Sequence, residues 1–123
     1  MSTRARIGVQ FESGEIKSVY VWRDGTPCVL GEILGKYYDT LEKATALVER
    51  GNLIDVEVTL AECNFEQASS GDVAPQIHKT FAAYMRESEC DIRYKYIFRD
   101  GKWGYWGIGY SPMPENPQEQ NRN

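Results

Sequence analysis

Few residues in this 123-residue sequence have the types and spacing that catalysis requires. His78 is the only histidine, and no serine, cysteine or aspartate accompanies it at a recognisable catalytic spacing. None of the glycine-rich stretches leads into a helix, as a phosphate-binding loop would. The sequence therefore predicts no catalytic residues, and His78 is interpreted as a partly exposed residue of a helix.

Metal-ligating residue types are equally sparse. Cys28, Cys63, Cys90 and His78 stand at spacings that match no zinc motif. The odd number of cysteines and the lack of a CxxC pair favour free thiols over a disulfide framework. The sequence predicts no metal site and no cofactor.

The densest group of residues suited to binding lies near the C-terminus, where aromatic and basic side chains interleave along two predicted strands. Those that could stack against a ligand or a partner are Tyr94, Tyr96, Trp103, Trp106 and Arg99. Such rings can stack on nucleic-acid bases, and aromatic residues also dominate protein–protein hot spots. Half-buried paired strands show the same pattern, so core packing is the simplest of the three interpretations.

Charge is unevenly distributed along the chain. The net charge is −4, but residues 39–72 alone hold eight acidic and two basic residues, a balance of −6. This argues against nucleic acid as a partner, which needs a basic surface, and is compatible with a basic protein; a solvated face is the simpler alternative. The predicted partner-binding residues are Glu42, Glu49, Asp55, Glu57, Trp22 and Arg23.

The strands that would position these residues follow from alternating apolar patterns. Residues 4–11 and 15–23 predict one hairpin, and residues 91–99 and 102–108, joined by Asp100-Gly101, predict a second. Residues 53–60 predict a lone strand with Asp55 and Glu57 on its solvent face.

Helices are predicted from Pro27, with Thr26 as its cap, from Asp39-Thr40 to a capping Gly51, and from Pro75. The order ββααβαββ predicts a single α+β domain over residues 1–110. We expect a largely antiparallel five-stranded sheet with helices on one face.

Smaller features refine this expectation. Gly31 and Gly35 should lie against the sheet, and Gly25 should take a positive φ. Residues 64–72 predict a loop, and the polar segment 111–123 should be disordered. No secretory signal is readable in residues 1–20, and the apolar runs are too short to cross a membrane.

Several motifs resemble those of a family of small proteins found mostly in tailed-phage genomes and occasionally in bacteria. The matching residues are Ser2-Thr3-Arg4, Ile7-Gly8, Gly14, Tyr20, Asp24-Gly25, Pro27, Gly31, Leu34, Tyr37, Ala46-Leu47 and Gly51-Asn52. Residues 96–103 resemble the family's closing hairpin. The family usually has His-Trp before Asp-Gly, where this chain has Trp22-Arg23, so no role of that histidine carries over. The resemblance implies a context, the cytoplasm of an infected bacterial host, rather than a chemistry.

Together these observations predict a non-enzymatic phage protein that binds a host bacterial factor and inhibits or redirects it. A defence component is one candidate, and a nucleic-acid-binding protein would offer a basic groove to the acidic surface. One alternative is a small-ligand or nucleotide binder that uses the Trp22-Arg23-Asp24-Gly25 corner and the aromatic hairpin. A second is a single-stranded nucleic-acid binder. A homodimer is left open, and a membrane partner is not expected.

Overall fold

The computed structural model describes residues 3–67, 73–87 and 91–107. The strands are β1 (Arg4–Gln10), β2 (Ile16–Val21), β3 (Leu53–Asp55), β4 (Asn64–Phe65), β5 (Gln76–His78), β6 (Ile92–Arg99) and β7 (Lys102–Gly107). The helices are α1 (Glu32–Tyr37), α2 (Leu41–Glu49) and α3 (Phe81–Arg86), with a π-helical turn at Pro27–Gly31 and a 3-10 turn at Leu60–Glu62. The tail predicted at 111–123, and residue 108 of the last predicted strand, lie outside the described residues.

Within these ranges the seven strands form one mixed sheet in the order β4-β3-β2-β1-β6-β7, with β5 also paired to β2. The α+β class is confirmed. The expected five-stranded, largely antiparallel sheet is wrong in strand number and in direction, because β1 pairs with β6 and β2 pairs with β3 in parallel. Side chains alternate between faces in both kinds of pairing, so the alternating pattern cannot distinguish them.

Both predicted hairpins are present. β1 and β2 pair antiparallel through a turn with Gly14 at φ 93°, and β6 and β7 also pair antiparallel. Asp100 and Gly101 both have positive φ, at 54° and 80°, as the two central residues of a type I′ turn must.

Helices cover both faces of the sheet rather than the single face expected. α1 and α2 enclose the larger core, which the alternate residues Ala5, Ile7 and Val9 of β1 help to form. Tyr84 of α3 packs with Ile16 and Ile97 on the opposite face. That second face exists because β2 and β6 carry apolar residues on both sides.

The helix predictions succeed at α2 and fail in detail elsewhere. The Thr40 hydroxyl accepts a hydrogen bond from the Lys43 amide at 3.2 Å, and Gly51 follows the helix with φ 102°. Thr26 makes no such capping bond, although Pro27 does begin the helical segment.

The helix predicted from Pro75 begins only at Phe81, where the Thr80 hydroxyl accepts from the Ala83 amide at 3.0 Å. Residues 76–78 form β5 instead. β3 reaches β2 only at Val21, so the first residues of β2 have a free edge that β5 occupies.

The predicted strand at 53–60 ends at Asp55, and the predicted loop at 64–72 contains β4. The predicted solvent face is also wrong, because the Asp55 side chain is only 5% exposed whereas Val58 is 43% exposed. The chain does not continue as a strand to residue 60 because a 3-10 turn begins there. Thr59 caps this turn, and its hydroxyl accepts from the Glu62 amide.

Two expectations about glycine need correction. Asp24 takes the positive φ, at 59°, whereas Gly25 is required by space, because a Cβ there would stand 2.8 Å from that of Ala5. A Cβ on Gly31 would meet the Tyr96 ring at 3.8 Å, but one on Gly35 would meet nothing within 4 Å. Only Gly31 therefore lies towards the sheet.

Candidate functional site

Four carboxylates gather where β2 and β3 end. We call this group, Asp24, Asp55, Glu57 and Glu62, the acidic edge. Asp55 anchors it: its Oδ2 lies 3.1 Å from the Arg23 guanidinium, and its Oδ1 accepts from the Asn64 amide at 2.8 Å. Arg23 remains half-exposed beside the pair.

The carboxylates of the acidic edge influence one another. Desolvation first, then the carboxylates of Asp55, Glu62 and Asp24, raise the pKa of Glu57 above its usual value of 4.5. Glu57 is half-buried, so desolvation is the largest cause of this shift, and nearby negative charge adds to it. The fold thus holds like charges together at an accessible surface.

The four carboxylates predicted to bind a partner divide into two groups. Glu42 and Glu49 are exposed on α2, and the Glu49 carboxylate lies 3.8 Å from Lys17 Nζ. Lys17 and Arg23 stand six residues apart on an extended chain, about 20 Å at roughly 3.3 Å per residue. Glu49 therefore lies apart from Asp55, and these two predicted residues do not share one patch.

Trp22 is held in place by its neighbours. Its indole N–H donates to the Glu66 carboxylate at 3.1 Å, and the Arg4 guanidinium stands 4.9 Å from the ring centroid. The Tyr20 ring meets it edge-on at 5.0 Å. These contacts occupy Trp22 and leave Arg23 as the more accessible residue of the predicted corner.

The aromatic hairpin divides between the two faces of the sheet. Tyr96 and Trp103 are buried under the helices α1 and α2, and burial raises the pKa of Tyr96. The Tyr96 hydroxyl donates to the Gly25 carbonyl at 2.7 Å, and the Trp103 indole donates to the Tyr38 carbonyl at 2.8 Å. In this structure neither ring offers a face to a ligand, because both pack in the core.

The remaining residues of that group lie less deeply. Tyr94 is half-buried beside Tyr105, with 6.4 Å between ring centroids. On the opposite face, the Arg99 guanidinium stands 3.7 Å from the Phe81 ring centroid, and the Trp106 ring is 5.6 Å from it. Arg99 and Trp106 therefore help to hold α3 on the sheet.

A chain of polar side chains that the sequence did not predict crosses the face under α3. Arg6 Nη1 donates to Ser18 Oγ at 3.0 Å, and Ser18 Oγ lies 2.8 Å from His78 Nε2. His78 Nδ1 lies 3.3 Å from the Glu87 carboxylate. Arg6, Ser18 and His78 are all buried. We call these four residues the buried polar chain.

The order serine, histidine, glutamate is that of a hydrolase triad, but Ser18 has no exposed surface. No substrate atom can stand beside its Oγ in this conformation. Because arginine can only donate, Ser18 accepts from Arg6 and has its own hydrogen available for His78 Nε2. His78 Nδ1–H then donates to Glu87, and the chain ties β1 and β2 to β5 and α3.

A buried lysine supports the same region. Lys95 is 1% exposed, and its ammonium donates to the Tyr84 carbonyl at 2.5 Å and to the Glu87 carbonyl. These carbonyls belong to the C-terminal end of α3, where a positive charge is favourable. Lys95 therefore caps the helix from the sheet below it.

The sequence does not predict these residues, because Arg6 alternates with the apolar residues Ala5 and Ile7, as a residue on a solvent face does, and because His78 is expected on a helix. One signal was present. Ile16 and Tyr20 share the face of Ser18, and this indicates that the second side of the sheet is covered.

No group of three or more histidine, cysteine, aspartate or glutamate side chains is placed to hold a metal ion in residues 3–67, 73–87 and 91–107. Over the same ranges, no helix has the length and apolar character to cross a membrane. No protein-family model, curated protein or solved structure matches the chain.

Proposed function

We propose that this protein binds a basic bacterial host protein, which it inhibits or redirects, and that it carries out no chemistry of its own. The observation that supports this best is the grouping of four carboxylates in the acidic edge, whose negative charge adds to desolvation in raising the pKa of Glu57. Like charges held together at a surface repel one another in the free protein. A partner that brings lysine or arginine side chains would relieve this repulsion and would be attracted over a distance.

The bacterial context rests on the resemblance to tailed-phage proteins in the motifs around Gly8 and Asp24-Gly25. Proteins that bind nucleic acid carry basic surfaces for phosphate contacts, so they suit the acidic edge. The proposed partner is therefore a nucleic-acid-binding host protein, and proteins of this kind that act in defence against phages are included.

A nucleotide pocket between the Trp22-Arg23 corner and the aromatic hairpin has less support. Tyr96 and Trp103 face the core, and Trp22 is covered by Arg4 and Tyr20. A ligand could reach Arg23, whose guanidinium is already paired with Asp55.

The proposal is tested by capture of host proteins on the tagged full-length chain, followed by mass spectrometry. One variant neutralises the acidic edge by Asp24→Asn, Glu57→Gln and Glu62→Gln. Asn tolerates the positive φ at position 24, so the turn is preserved. A matched variant removes the same charge from α1 and α2 by Glu32→Gln, Glu42→Gln and Glu49→Gln.

We expect the wild type and the α1/α2 variant to retain the same host protein, and the acidic-edge variant to lose it. Capture should also weaken as salt rises, because salt screens exposed charges. Loss of the host protein with the α1/α2 variant alone would place the contact surface on α2. Capture of no specific protein, or equal capture by all three chains, would refute the proposal.

A further inference from the structure

A cleft of about 910 Å³ lies at the turn end of the β1–β2 hairpin. It forms where the turn after β1, the start of α2 and the turn between β6 and β7 meet. Its apolar lining includes Phe11, Leu41 and Phe98. Leu41, at the first position of α2, is 49% exposed.

The polar residues around this cleft are mainly acidic. Glu12, Asp39 and Asp100 line it, and all three are exposed. Arg99 also lines it, but its guanidinium stacks on Phe81 across the sheet. Asp39 lies 3.6 Å from Lys43 in an exposed pair, so Glu12 and Asp100 contribute most of the negative charge of the rim.

An apolar floor within a negative rim defines the chemistry of an occupant. The volume falls in the range of clefts that bind ligands, about 300–1,000 Å³. The floor suits one large apolar side chain, which is the usual anchor of a protein contact. The rim attracts positive charge and disfavours acidic segments.

We propose that this cleft binds a segment of a partner protein in which a large apolar side chain is flanked by lysine or arginine. The inference rests on the proposed function in one respect, that the partner is basic. It concerns a different set of residues: the cleft adjoins Gln10 at one end of the β1–β2 hairpin, and Asp55 of the acidic edge lies beside Arg23, beyond Val21 at the other end.

Binding is measured by fluorescence anisotropy with the full-length chain and three labelled pentapeptides. The peptides share a central phenylalanine, which is flanked by lysines in the first, by serines in the second and by glutamates in the third. We expect the lysine peptide to bind most tightly and to lose affinity as salt rises.

Two variants change the cleft, and one serves as a control. Leu41→Ser removes the exposed apolar contact, and Asp39→Asn with Asp100→Asn removes rim charge while Asn keeps the turn. Each should weaken binding of the lysine peptide by about tenfold, a difference equivalent to one lost contact of ordinary strength. Glu32→Gln with Glu49→Gln removes the same charge from α1 and α2 and should leave binding unchanged.

Absence of binding, equal binding of the three peptides, or equal weakening by the control would overturn the proposal. So would a dimer that Leu41→Ser dissociates, because a second copy would then occupy the cleft. The host protein could still be captured in the presence of saturating lysine peptide and by the Leu41→Ser variant. That result would refute binding in the cleft and leave the proposed function intact. Peptide binding that follows the variants without any host capture would support the cleft and refute the proposed function.

Discussion

Tyr84 of α3 lies directly over Gly8 of β1, and a Cβ added to Gly8 would stand 3.1 Å from Cζ of that ring. The Tyr84 hydroxyl donates its single hydrogen to the Tyr96 carbonyl at 2.8 Å, and the Arg6 carbonyl lies 3.3 Å from the same hydroxyl. These carbonyls belong to β6 and β1, the parallel pair at the middle of the sheet. Because Gly8 has no side chain, there is room for the Tyr84 ring, whose contacts hold α3 on the sheet.

Gly8→Ala should lower the free energy of unfolding by about 1–3 kcal/mol, because the new methyl group would overpack this contact. It would also stand 3.0 Å from Ile16, which is fully buried and has little room to move. Equilibrium unfolding in urea measures the change. Gly35→Ala is the matched control: it lies inside α1, meets nothing within 4 Å, and should stabilise by up to about 1 kcal/mol. Equal effects of the two substitutions would contradict this account of Gly8.

Ser18→Ala should destabilise the fold by about 1–3 kcal/mol, because it removes the hydroxyl between the buried Arg6 and His78. Thermal or urea unfolding gives the magnitude. Ser13→Ala is the comparison, since the Ser13 hydroxyl makes only an exposed bond to the Glu15 amide and should matter by less than about 0.5 kcal/mol. If Ser18→Ala were as mild as Ser13→Ala, the buried polar chain would contribute little to stability.

Lys95→Met should cost about 1.5–3 kcal/mol, the range for hydrogen bonds made by a charged group. Methionine fills similar space but donates nothing to the carbonyls of Tyr84 and Glu87. Hydrogen exchange should show faster opening of α3 than of β6. Lys102→Met, at an exposed position of the same hairpin, should change neither quantity. Slow exchange in α3 despite Lys95→Met would show that the helix end does not depend on this lysine.

The features that could be predicted from the sequence are those with a local cause. Asp100-Gly101 specifies its turn through the φ angles that its two residues adopt, and Thr40 caps α2 through a bond three residues away. β5 has a non-local cause: Gln76–His78 extends because a part of β2 lacks a neighbour, 60 residues earlier in the chain.

The distinction between local and non-local causes also applies to the acidic edge and the buried polar chain. The acidic composition of residues 39–72 pointed towards Glu57, since charge balance can be read without a fold. The alternating pattern of residues 53–60 wrongly predicted Asp55 on the solvent face, because alternation cannot show that Arg23 and Asn64 cover this carboxylate. His78 could not be joined to Ser18 before β5 was known to lie beside β2.

The last prediction concerns the pH dependence of Glu57. Its pKa is raised in the folded protein, so the ionised carboxylate destabilises the fold. This penalty is complete above the folded pKa and disappears as the pH falls below the unfolded value, near 4.5. Glu57→Gln should therefore raise the melting temperature at pH 7, by an amount equivalent to less than about 1 kcal/mol, because solvent screens a partly exposed group. The gain should be lost about one pH unit below 4.5. Glu15→Gln, which removes one charge from the exposed turn after β1, should show no such trend. A gain for Glu57→Gln that persists in acid would mean that the glutamine stabilises by packing, and that repulsion within the acidic edge is not its source.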